Sequence, residues 1–566
     1  MIYVRELTPD DAAAVAAVEA ELHVQKELRD GVDGHRQYLT EAAEQGVNLS
    51  FGLFDDARLV GYFLCYGFEP AIFPGGKGDV IYIEDIAIRP PYRRHLYRLF
   101  QRAATEAVRH FPTSIVEAHA LEPLLKVWRK HAEFFAKLGW EQMSIAAIDE
   151  VVGGYQRYAI RMMPSAERIS DVENLQQLLA RLPAVPVVIE GTEFSVTTVK
   201  VEADWPSLQT VWDTLLLETP GHTVFQSYAY QRLWWRHFGG DNELQLVVIC
   251  RGKKLVGIAP LQLQRYVYAR QYFNELCFIG SRWEGDRPVF LFGRDDGTLL
   301  RVLVSYLTQA HVPWDLCQLY EQIDNERTLQ QLTSEFRAAG CFVGHSRDSD
   351  CPHIQLQGGW QAFLAAKPQK FRKNLKAAGR KLEEQGKLVY TVYDTLPEVA
   401  EQLEVYKTIE ARSWKSAEGV GVSRNEEYFA FYQEMVRELG RTQSFVIRML
   451  TLDGKPIAGT FGLVHDGTYY SLQIAHDRDY DKCSPGTYLE AREIEQCFDA
   501  GLREYEFLGG FLNNKSRWTT TFRHTTQLHV YRRKPTLVLL YVAFFKVKPL
   551  LKRLLQPYLK RKAESE

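Results

Sequence analysis

The segment that decides the fold is Ile474 to Trp518, IAHDRDYDKCSPGTYLEAREIEQCFDAGLREYEFLGGFLNNKSRW. Its pattern predicts the end of a strand, a turn, a long helix, a second strand and a polar loop. At the turn, Ser484 can cap the helix and Pro485 suits its first position, where a missing N–H costs nothing. Gly486 would let an anion approach the unpaired N–H groups of the first turn, which is a ready site for phosphate. An ordinary Ser-Pro helix start is the alternative.

The composition is typical of a soluble globular protein with several domains. The chain has 566 residues, of which 46% are hydrophobic and 25% are charged. A chain of this length exceeds a single hydrophobic core, so we expect about two to four domains. The net charge of -3 gives no general basic field for nucleic acid, and we expect no DNA partner.

The cysteines and the apolar runs indicate the compartment. The eight cysteines are scattered, without the spacing of zinc ligands, so we expect buried free thiols in a reducing cytoplasm and no metal cofactor. The N-terminus lacks the charged-then-apolar pattern of a signal peptide. The longest apolar run near the C-terminus, Leu537 to Phe545, has nine residues. A membrane-spanning helix needs about 20 residues, so we expect no transmembrane segment.

Residues 1–164 are predicted to form one compact unit. Its strongest strand, Asp79 to Ile88, is followed by Arg89-Pro90-Pro91 and a helix. The segment IYIEDIAIRPPYRRHLYRLFQRAATEA resembles the central strand, phosphate-binding turn and helix of the GCN5-related N-acetyltransferases (GNAT). The later segment HAEFFAKLGW resembles a helix of that family that ends in a glycine and an aromatic residue.

This first resemblance implies how the N-terminal unit would bind acetyl-CoA. In the family the central strand pairs with the pantetheine arm, and backbone N–H groups of the next turn wrap the pyrophosphate. The resemblance therefore implies cofactor contacts for Ile86, Ile88, Arg93 and Arg94. It implies that Glu84 acts as a base through water, with a solvated or ion-paired carboxylate as the alternative.

The N-terminal unit also departs from the family pattern. Leu96 and Arg98 stand where the family has small residues, and Phe135 stands where a general-acid tyrosine is common. Side chains at the first two positions obstruct close approach of the backbone to phosphate. We therefore favour an impaired or non-catalytic N-terminal unit over an active one.

Three further segments follow before the C-terminal tail. Residues 165–195 are predicted to be a short helical linker punctuated by prolines, residues 196–355 a second unit and residues 356–535 a third. The third begins with KPQKFRKNLKAAGRKLEEQGKL, a basic helix on which Arg372, Lys376 and Arg380 share one face. Such a stripe suits a polyanionic partner such as a sugar nucleotide or an RNA backbone. A solvated face is the alternative.

The order of motifs between residues 196 and 535 carries a second resemblance. LVGIAPL is followed by FRKNL, by SWK, by AHD with SPG, and by a glycine pair before a lysine and a tryptophan. This order resembles the CelD-like acetyltransferases linked to bacterial cellulose and exopolysaccharide production. Those proteins are two fused GNAT-like halves, similar in fold to the Fem peptidoglycan aminoacyltransferases. The resemblances imply an α+β fold with three GNAT-like units, each a mixed, mostly antiparallel sheet flanked by helices.

The second resemblance implies a site in the third unit. The donor-phosphate turn would comprise Asp477, Ser484, Pro485, Gly486 and Thr487. Further residues would contact donor or acceptor, or close the site: Arg372, Asn374, Arg380, Trp414, Lys415, Lys515 and Trp518. Asp477 and Glu506 are the best carboxylates for deprotonating an amine or hydroxyl, although the family often carries Asp where Glu506 stands. A structural role at a turn or strand end is the alternative for both.

Residues 536–566 form an apolar and basic tail. No acidic residue occurs from Tyr531 to Lys562. Such a tail can lie on an anionic membrane surface. A helix packed on the body of the protein, with a solvated basic end, is the alternative.

Together the resemblances imply an acyltransferase. It would move an acetyl or other acyl group from CoA to an amine or hydroxyl of a small molecule, sugar or cell-envelope precursor. It would be cytoplasmic, or peripheral at the inner membrane through the tail. One alternative is a Fem-like transferase that uses aminoacyl-tRNA and binds RNA through the basic helix. Another is a non-catalytic assembly or regulatory protein built on degenerate GNAT folds.

Overall fold

The structure is a computed structural model of the chain, and the residues it describes fall into two compact units. It describes residues 2–22, 31–45, 47–68, 80–95, 99, 102–103, 115–121, 125, 140–152, 155–164, 166–252, 254–268, 270–281, 284–293, 297–309, 311–323, 327–440, 445–509 and 515–551. The first unit comprises Met1–Leu182 with Ala203–Thr214, and the second comprises Pro183–Glu202 with Leu215–Glu566.

The first unit is built on one mixed sheet. Its described elements are β1 (Ile2–Glu6), α1 (Ala12–Leu22), α2 (Gly31–Gln45), β2 (Val47–Asn48), β3 (Phe51–Asp55), β4 (Arg58–Phe68), β5 (Val80–Ile88), β6 (Ile115–Leu121), β7 (Trp140–Val152), β8 (Tyr155–Pro164) and α3 (Ala166–Arg181). The strand order is β1-β3-β4-β5-β6-β8-β7, with β2 paired to β4. Among the described strands of this unit, only β5 and β6 run parallel, from Val80–Ile115 to Ile83–Ala118, so β5 continues beyond this pairing.

Apart from residues 203–214, the chain from residue 183 belongs to the second unit, and we divide it into a first half (residues 183–355) and a second half (residues 356–551). The first half has β9 (Val185–Ile189), β10 (Thr192–Val199), α4 (Gln209–Glu218), α5 (Tyr228–Phe238), β11 (Glu243–Arg251), β12 (Lys254–Tyr268), β13 (Gln271–Phe278), α6 (Thr298–Thr308), β14 (Leu316–Ile323), α7 (Arg327–Ala338) and β15 (Phe342–Gln355). The division between the two compact units runs through α4.

The second half repeats much of this order after two added helices. It has α8 (Trp360–Ala365), α9 (Gln369–Glu383), β16 (Leu388–Tyr393), α10 (Leu396–Ala411), α11 (Trp414–Ala417), α12 (Glu426–Leu439), β17 (Phe445–Leu452), β18 (Lys455–His465), β19 (Thr468–His476), α13 (Pro485–Asp499), β20 (Glu504–Glu506), β21 (Phe522–Tyr531) and α14 (Pro535–Val542). In both halves antiparallel strands lead to a central strand, a helix and a parallel strand. The central strands are β13 and β19.

The two halves exchange their last strands within a single sheet. The order is β16-β17-β18-β19-β20-β15-β21-β14-β13-β12-β11-β10-β9. The last strand of the first half, β15, pairs with β20, and the last strand of the second half, β21, pairs with β14. These two strands also pair with each other. The sheet is therefore continuous across residue 355, where the sequence predicted a boundary between units.

Both central strands outrun their parallel partners. Pairing of β13 with β14 is confined to Glu275–Leu316 and Leu276–Cys317. Pairing of β19 with β20 runs only from Thr468–Glu504 to Tyr470–Glu506. Among the described residues, no strand pairs with the rest of β19, residues 471–476, on the β20 side, and we call this the open edge of β19. Mixed, mostly antiparallel sheets flanked by helices confirm the predicted α+β class.

The hydrophobic cores explain why these elements hold together. In the first half, Val247, Leu261 and Phe278 from the sheet pack against residues of α6. In the second half, Tyr469 and Ile494 belong to a core shared by β19 and α13. All eight cysteines are free, seven of them buried and Cys341 partly buried, which confirms the predicted thiols.

Some predicted segments have different bounds in the structure, and others fall outside the described residues. The predicted linker, residues 165–195, contains α3 but also β9 and the start of β10, because these strands pair at the edge of the second unit's sheet. Leu96, Arg98 and Phe135 lie outside the described residues, and so does the segment HAEFFAKLGW except for Trp140. Within the part of the chain that the structure describes, no helix has both the length and the hydrophobicity needed to cross a bilayer.

Candidate functional site

A pocket of about 410 Å³ opens where α13 begins. It is lined from α9 and its preceding turn, from the start of α13, and from the segment after β20: Pro368, Lys370, Phe371, Asn374, Leu375, Ala378, Ser484, Thr487 and Arg517. Arg517 Nη1 donates to Thr487 Oγ1 at 3.1 Å. Two basic side chains, Lys370 and Arg517, therefore line a pocket at a helix N-terminus.

The start of α13 leaves backbone donors available to this pocket. Ser484 stands at the N-cap with φ of 54°, and its side chain makes no capping hydrogen bond. The predicted side-chain cap is therefore wrong, because a capping side chain goes with an extended backbone at the N-cap and Ser484 has a left-handed one. The first helical bond runs from Tyr488 N to Ser484 O, at 3.2 Å. Among the described residues, the N–H groups of Gly486 and Thr487 have no acceptor, so they can bind an anion.

Two glycines set the spacing around the pocket. A Cβ on Gly486 would lie 3.0 Å from His476 Nδ1, so glycine here lets α13 approach the end of β19. This packing role adds to the predicted one, in which Gly486 lets an anion approach the first turn, and the predicted role stays a prediction. A Cβ on Gly379 would lie 2.8 Å from Cε2 of Tyr488. The absence of a side chain at Gly379 therefore holds α9 close to α13 and its basic N-terminal part over the pocket.

The basic helix α9 divides its polar residues between the pocket and solvent. Asn374, predicted as a site residue, lines the pocket, and so does Lys370 one turn earlier. The side chains of Arg372 and Arg380 are exposed and do not line it. Arg372 Nε donates to Lys367 O at 3.2 Å, and Arg380 Nε lies 3.3 Å from Glu384 Oε1.

Asp477 is held in a structural arrangement at the end of β19. Its carboxylate accepts from Asp479 N at 3.1 Å, as the N-cap of the short 3-10 turn Arg478–Cys483. Its Oδ2 lies 2.9 Å from Arg412 Nε and 3.1 Å from Lys455 Nζ. Burial acts to raise the pKa of Asp477, but the Asp479 N–H and the two cations hold it below its ordinary value. A carboxylate held this way is a poor proton acceptor.

Lys415 lies buried beside the open edge of β19. Its Nζ donates to Gln473 Oε1 at 2.6 Å and lies 4.0 Å from Glu410 Oε1. Burial lowers the pKa of Lys415 to about 8, against the raising influence of Glu410 and Glu284. The neighbouring Trp414 is 45% exposed at the start of α11. Lys415 can therefore exchange a proton near neutral pH. Its hydrogen bond to Gln473 places its ammonium group beside the part of β19 that has no partner in β20.

Glu490 is a residue that the sequence reasoning missed. It lies one turn after Thr487 on α13, and Trp518 Nε1 donates to its Oε2. Burial raises the pKa of Glu490 to about 7, although the Trp518 hydrogen bond opposes this. A carboxyl with this pKa can accept a proton near neutral pH. Its position on the Thr487 face of the helix that follows Ser-Pro-Gly was the available signal.

Lys515 and Trp518, both predicted, lie against this carboxyl. Lys515 Nζ donates to Phe507 O at 3.0 Å and also to Leu508 O. Burial lowers the pKa of Lys515, although Glu490 and Glu506 oppose the change. Trp518 is fully buried and packs edge-on against Phe371, with ring centroids 4.9 Å apart. The segment from Lys515 to Trp518 thus closes one side of the region between the pocket and β20.

Glu506 joins the two halves. Its Oε2 accepts from Arg523 Nη1 at 2.7 Å and lies 2.9 Å from Arg287 Nη2 of the first half. Its Oε1 is buried without a hydrogen-bond partner among the described residues. Burial raises the pKa of Glu506 to about 7, although Arg287 and Arg523 oppose this. The side chain has no exposed surface, which favours bracing of the sheet over contact with an acceptor.

The site predicted for the first unit is only partly described. Ile86 and Ile88 lie on β5 and pack against the core of that unit. The side chain of Arg93 is exposed in the turn after β5. The side chains of Glu84 and Arg94 lie outside the described residues.

Comparison with known proteins gives a family match for the second half. Residues 369–516 match the family model described as "Acetyltransferase (GNAT) domain". Among curated proteins, none matches this chain. The matched residues begin with α9 and end beyond Lys515, so they contain the helix start and most of the residues that line the pocket.

Several solved structures are similar to this chain at low identity. FemX is 10% identical, covering 59% of this chain and 98% of its own, with a TM-score of 0.43. A GNAT-family acetyltransferase from Bacillus cereus is 14% identical, covering 29% and 99%, with a TM-score of 0.21. A GCN5-related glucosamine N-acetyltransferase region of a fungal β-N-acetylglucosaminidase is 15% identical, covering 62% and 38%, with a TM-score of 0.30. These scores are too low to assign a substrate, and the GNAT acetyltransferase domain at residues 369–516 rests on the family match.

Proposed function

We propose that the second half transfers an acyl group from CoA to an amine or hydroxyl acceptor. The observation that carries the proposal is the pocket at the start of α13. It combines two N–H groups without an acceptor, from Gly486 and Thr487, with the cationic side chains of Lys370 and Arg517. A helix N-terminus flanked by cations suits a pyrophosphate, the most highly charged part of CoA.

The acyl arm would extend from this pocket along the open edge of β19. Residues 471–476 have no partner in β20 and can offer backbone groups to an extended pantetheine chain. An N–H of this edge can bind the thioester oxygen, where negative charge develops during attack. Gln473 and Lys415 lie beside the same edge.

Proton transfer in this proposal belongs to Glu490 and Lys415. The acceptor nitrogen or oxygen attacks the thioester carbon, its proton passes to the carboxylate of Glu490, and the carbon–sulfur bond breaks. The thiolate that leaves takes a proton from the ammonium of Lys415. Both residues have pKa values near neutrality, which suits groups that must exchange protons at physiological pH.

Calorimetry with acetyl-CoA tests the donor site. Lys370→Glu and Arg517→Glu should each weaken binding by roughly 10-fold to 100-fold, because a charge-assisted hydrogen bond contributes about 1.5–3 kcal/mol. Lys373→Glu is the matched control, since Lys373 is exposed on the same helix and does not line the pocket. Equal weakening by all three variants would indicate a general charge effect, and absence of binding to the wild type would refute the donor site.

The aminoacyl-tRNA alternative keeps one specific observation in its favour. Arg372, Lys373, Lys376 and Arg380 are all exposed on α9, next to the pocket. A gel-shift assay with charged tRNA separates the two proposals. Tight tRNA binding that is lost in Lys373→Glu and Lys376→Glu, with no binding of acetyl-CoA, would favour a Fem-like reaction. Binding of neither ligand would favour the non-catalytic alternative.

The acceptor class that we propose is a small molecule or a sugar or cell-envelope precursor. The site supports this choice only through its general chemistry, since Glu490 and Lys415 can serve an amine or a hydroxyl. Turnover assays with amino sugars, polyamines and sugar alcohols, followed by release of free CoA thiol, would distinguish these classes. Glu490→Gln should abolish release with every acceptor, whereas Glu495→Gln on the outer side of α13 should preserve it.

A further inference from the structure

Exposed apolar side chains concentrate on one part of the second unit. Sixteen large hydrophobic residues are exposed among the described residues. Eight of them fall on the tip of the β12–β13 hairpin and on the C-terminal helical segment 535–551, which continues α14: Val267, Tyr268, Tyr272, Leu539, Val542, Val547, Leu550 and Leu551. Such concentration on a small part of the chain indicates an interaction surface.

The C-terminal helical segment is firmly placed on the sheet by its inner face. Leu537 is fully buried in a cluster with Phe273, Leu316 and Tyr531. The ring of Phe545 occupies the space where a Cβ on Gly344 would lie, 2.6 Å away. The inner face of the helical segment is therefore packed against the sheet. The remaining apolar residues face solvent because of this packing and not because the helix has frayed.

The outer face of the helical segment is continuous with the hairpin tip. The rings of Tyr268 and Phe544 are in contact, with centroids 5.2 Å apart. On one side of this contact Tyr272 is 70% exposed, and on the other Leu539 is 70% exposed. Two segments distant in sequence thus contribute to one surface, which we call the tail–hairpin face.

Positive charge accompanies this apolar surface. Lys546 and Lys548 are exposed on the helical segment, and Arg265 and Arg270 are exposed on the hairpin. No acidic residue occurs in the sequence from Tyr531 to Lys562. The nearby Asp315 carboxylate is paired with Lys534 Nζ at 2.5 Å. Exposed apolar groups with an amphipathic aromatic residue and surrounding cations match the chemistry of an anionic bilayer surface.

We propose that the tail–hairpin face docks the protein on an anionic phospholipid membrane. The helical segment would lie in the plane of the interface, with Leu539, Leu550 and Tyr272 inserted among the lipids. The lysines and arginines would lie at the level of the headgroups. The charge pattern favours lipid over a second copy of this chain, because like charges would meet across a face shared by two copies.

Vesicle sedimentation with the full chain tests this proposal. Binding should be strong to phosphatidylcholine mixed with phosphatidylglycerol, weak to phosphatidylcholine alone, and reduced by added salt. Leu539→Glu and Tyr272→Glu should each reduce binding at least about tenfold, because each removes an apolar anchor and adds a repelled charge. Val188→Glu is the matched control, since Val188 is 61% exposed on β9 outside the face.

Three results would contradict the proposal in whole or in part. Wild-type protein that sediments with neither vesicle would exclude the membrane as the partner. Unchanged binding of Tyr272→Glu would restrict the contact to the tail and remove the hairpin from it. A wild-type dimer in light scattering that Leu539→Glu converts to a monomer, without vesicle binding, would assign the face to contact between copies. Circular dichroism of each variant checks that the fold is retained.

Discussion

Glu493 on α13 is the residue whose substitution tests the architecture of the site most directly. Its buried carboxylate accepts from Tyr469 Oη and Tyr505 Oη, each at 2.5 Å, and from Thr460 Oγ1 at 3.1 Å. Arg448 Nη1 also donates to it at 3.3 Å. Tyr469 and Tyr505 face each other across β19 and β20, one pair before the strands separate. Glu493 therefore holds both strands and α13 at the point where the splay begins.

The expected loss in the free energy of unfolding depends on which buried groups each substitution leaves without a partner. Glu493→Gln keeps an acceptor for the hydroxyl groups but removes the charge that faces Arg448, which is 3% exposed. Removing one partner of a buried ion pair costs about 3–5 kcal/mol, because the other charge stays buried without compensation. Replacing both partners avoids that cost and is often close to neutral. The double variant Glu493→Gln with Arg448→Met should therefore be destabilised by at least about 2 kcal/mol less than the sum of the single variants.

Native-state hydrogen exchange measures this loss of stability within β19 and α13. The opening free energy of peptides from β19 and α13 should fall in each single variant and recover partly in the double variant. Glu495→Gln is the control on the same helix, because Glu495 forms a partly exposed pair with Arg492 that should contribute little. Additive losses in the double variant would show that the two charges do not stabilise each other, and the reasoning would fail.

Three further predictions concern the same half. Burial raises the pKa of Glu490 from 4.5 to about 7, so stability is lost as pH rises through this range. In urea unfolding near about pH 8, the free energy of unfolding of Glu490→Gln should exceed that of the wild type by up to about 3 kcal/mol. This difference should shrink toward about pH 5. The variant should also lose activity. Gly379→Val would press on Tyr488 and should cost about 1–3 kcal/mol and weaken CoA binding in calorimetry. Gly421→Ala, at φ of 117° and with a Cβ 2.7 Å from the Glu410 carboxyl, should lower the melting temperature, and an unchanged value would refute the tight fit.

The sequence was informative wherever a local pattern determines structure. Pro485 at the first position of α13 and the strand that precedes it were predicted from residue types alone, since both follow from backbone preferences. The role of Gly486 was not predictable in the same way. The sequence shows that a glycine is present, but only the structure shows that a Cβ there would lie 3.0 Å from His476 Nδ1, which is a tight contact.

The exchange of β15 and β21 between the halves and the burial of Glu490 could not be predicted from the sequence. The residues of β15 and β21 do not specify which half each strand joins, because strands pair through backbone N–H and C=O groups that every neighbour can offer. Glu490 belongs to an ordinary helical pattern, and its raised pKa results from burial beside Trp518, which lies far along the chain. The spacing shows that Glu490 shares a helix face with Thr487, but it does not show the burial that raises the pKa of Glu490.

The two halves share a topology but differ at the start of the helix that follows the central strand. In the first half, the Gln331 side chain occupies the corner at the start of α6. Its Nε2 donates to Gly297 O at 2.5 Å, and a Cβ on Gly297 would lie 2.1 Å from its Oε1. The loop between β13 and α6 instead reaches the second half, where Arg287 pairs with Glu506 at 2.9 Å. The corresponding turn after β19 leaves its helix start open beside Lys370 and Arg517. The first half also has a pocket of about 290 Å³ at this corner, lined by Arg287, Gly297 and Gln331. The two halves therefore differ in that Arg287 of the first half also pairs with Glu506, whereas Lys370 and Arg517 line the pocket of the second half.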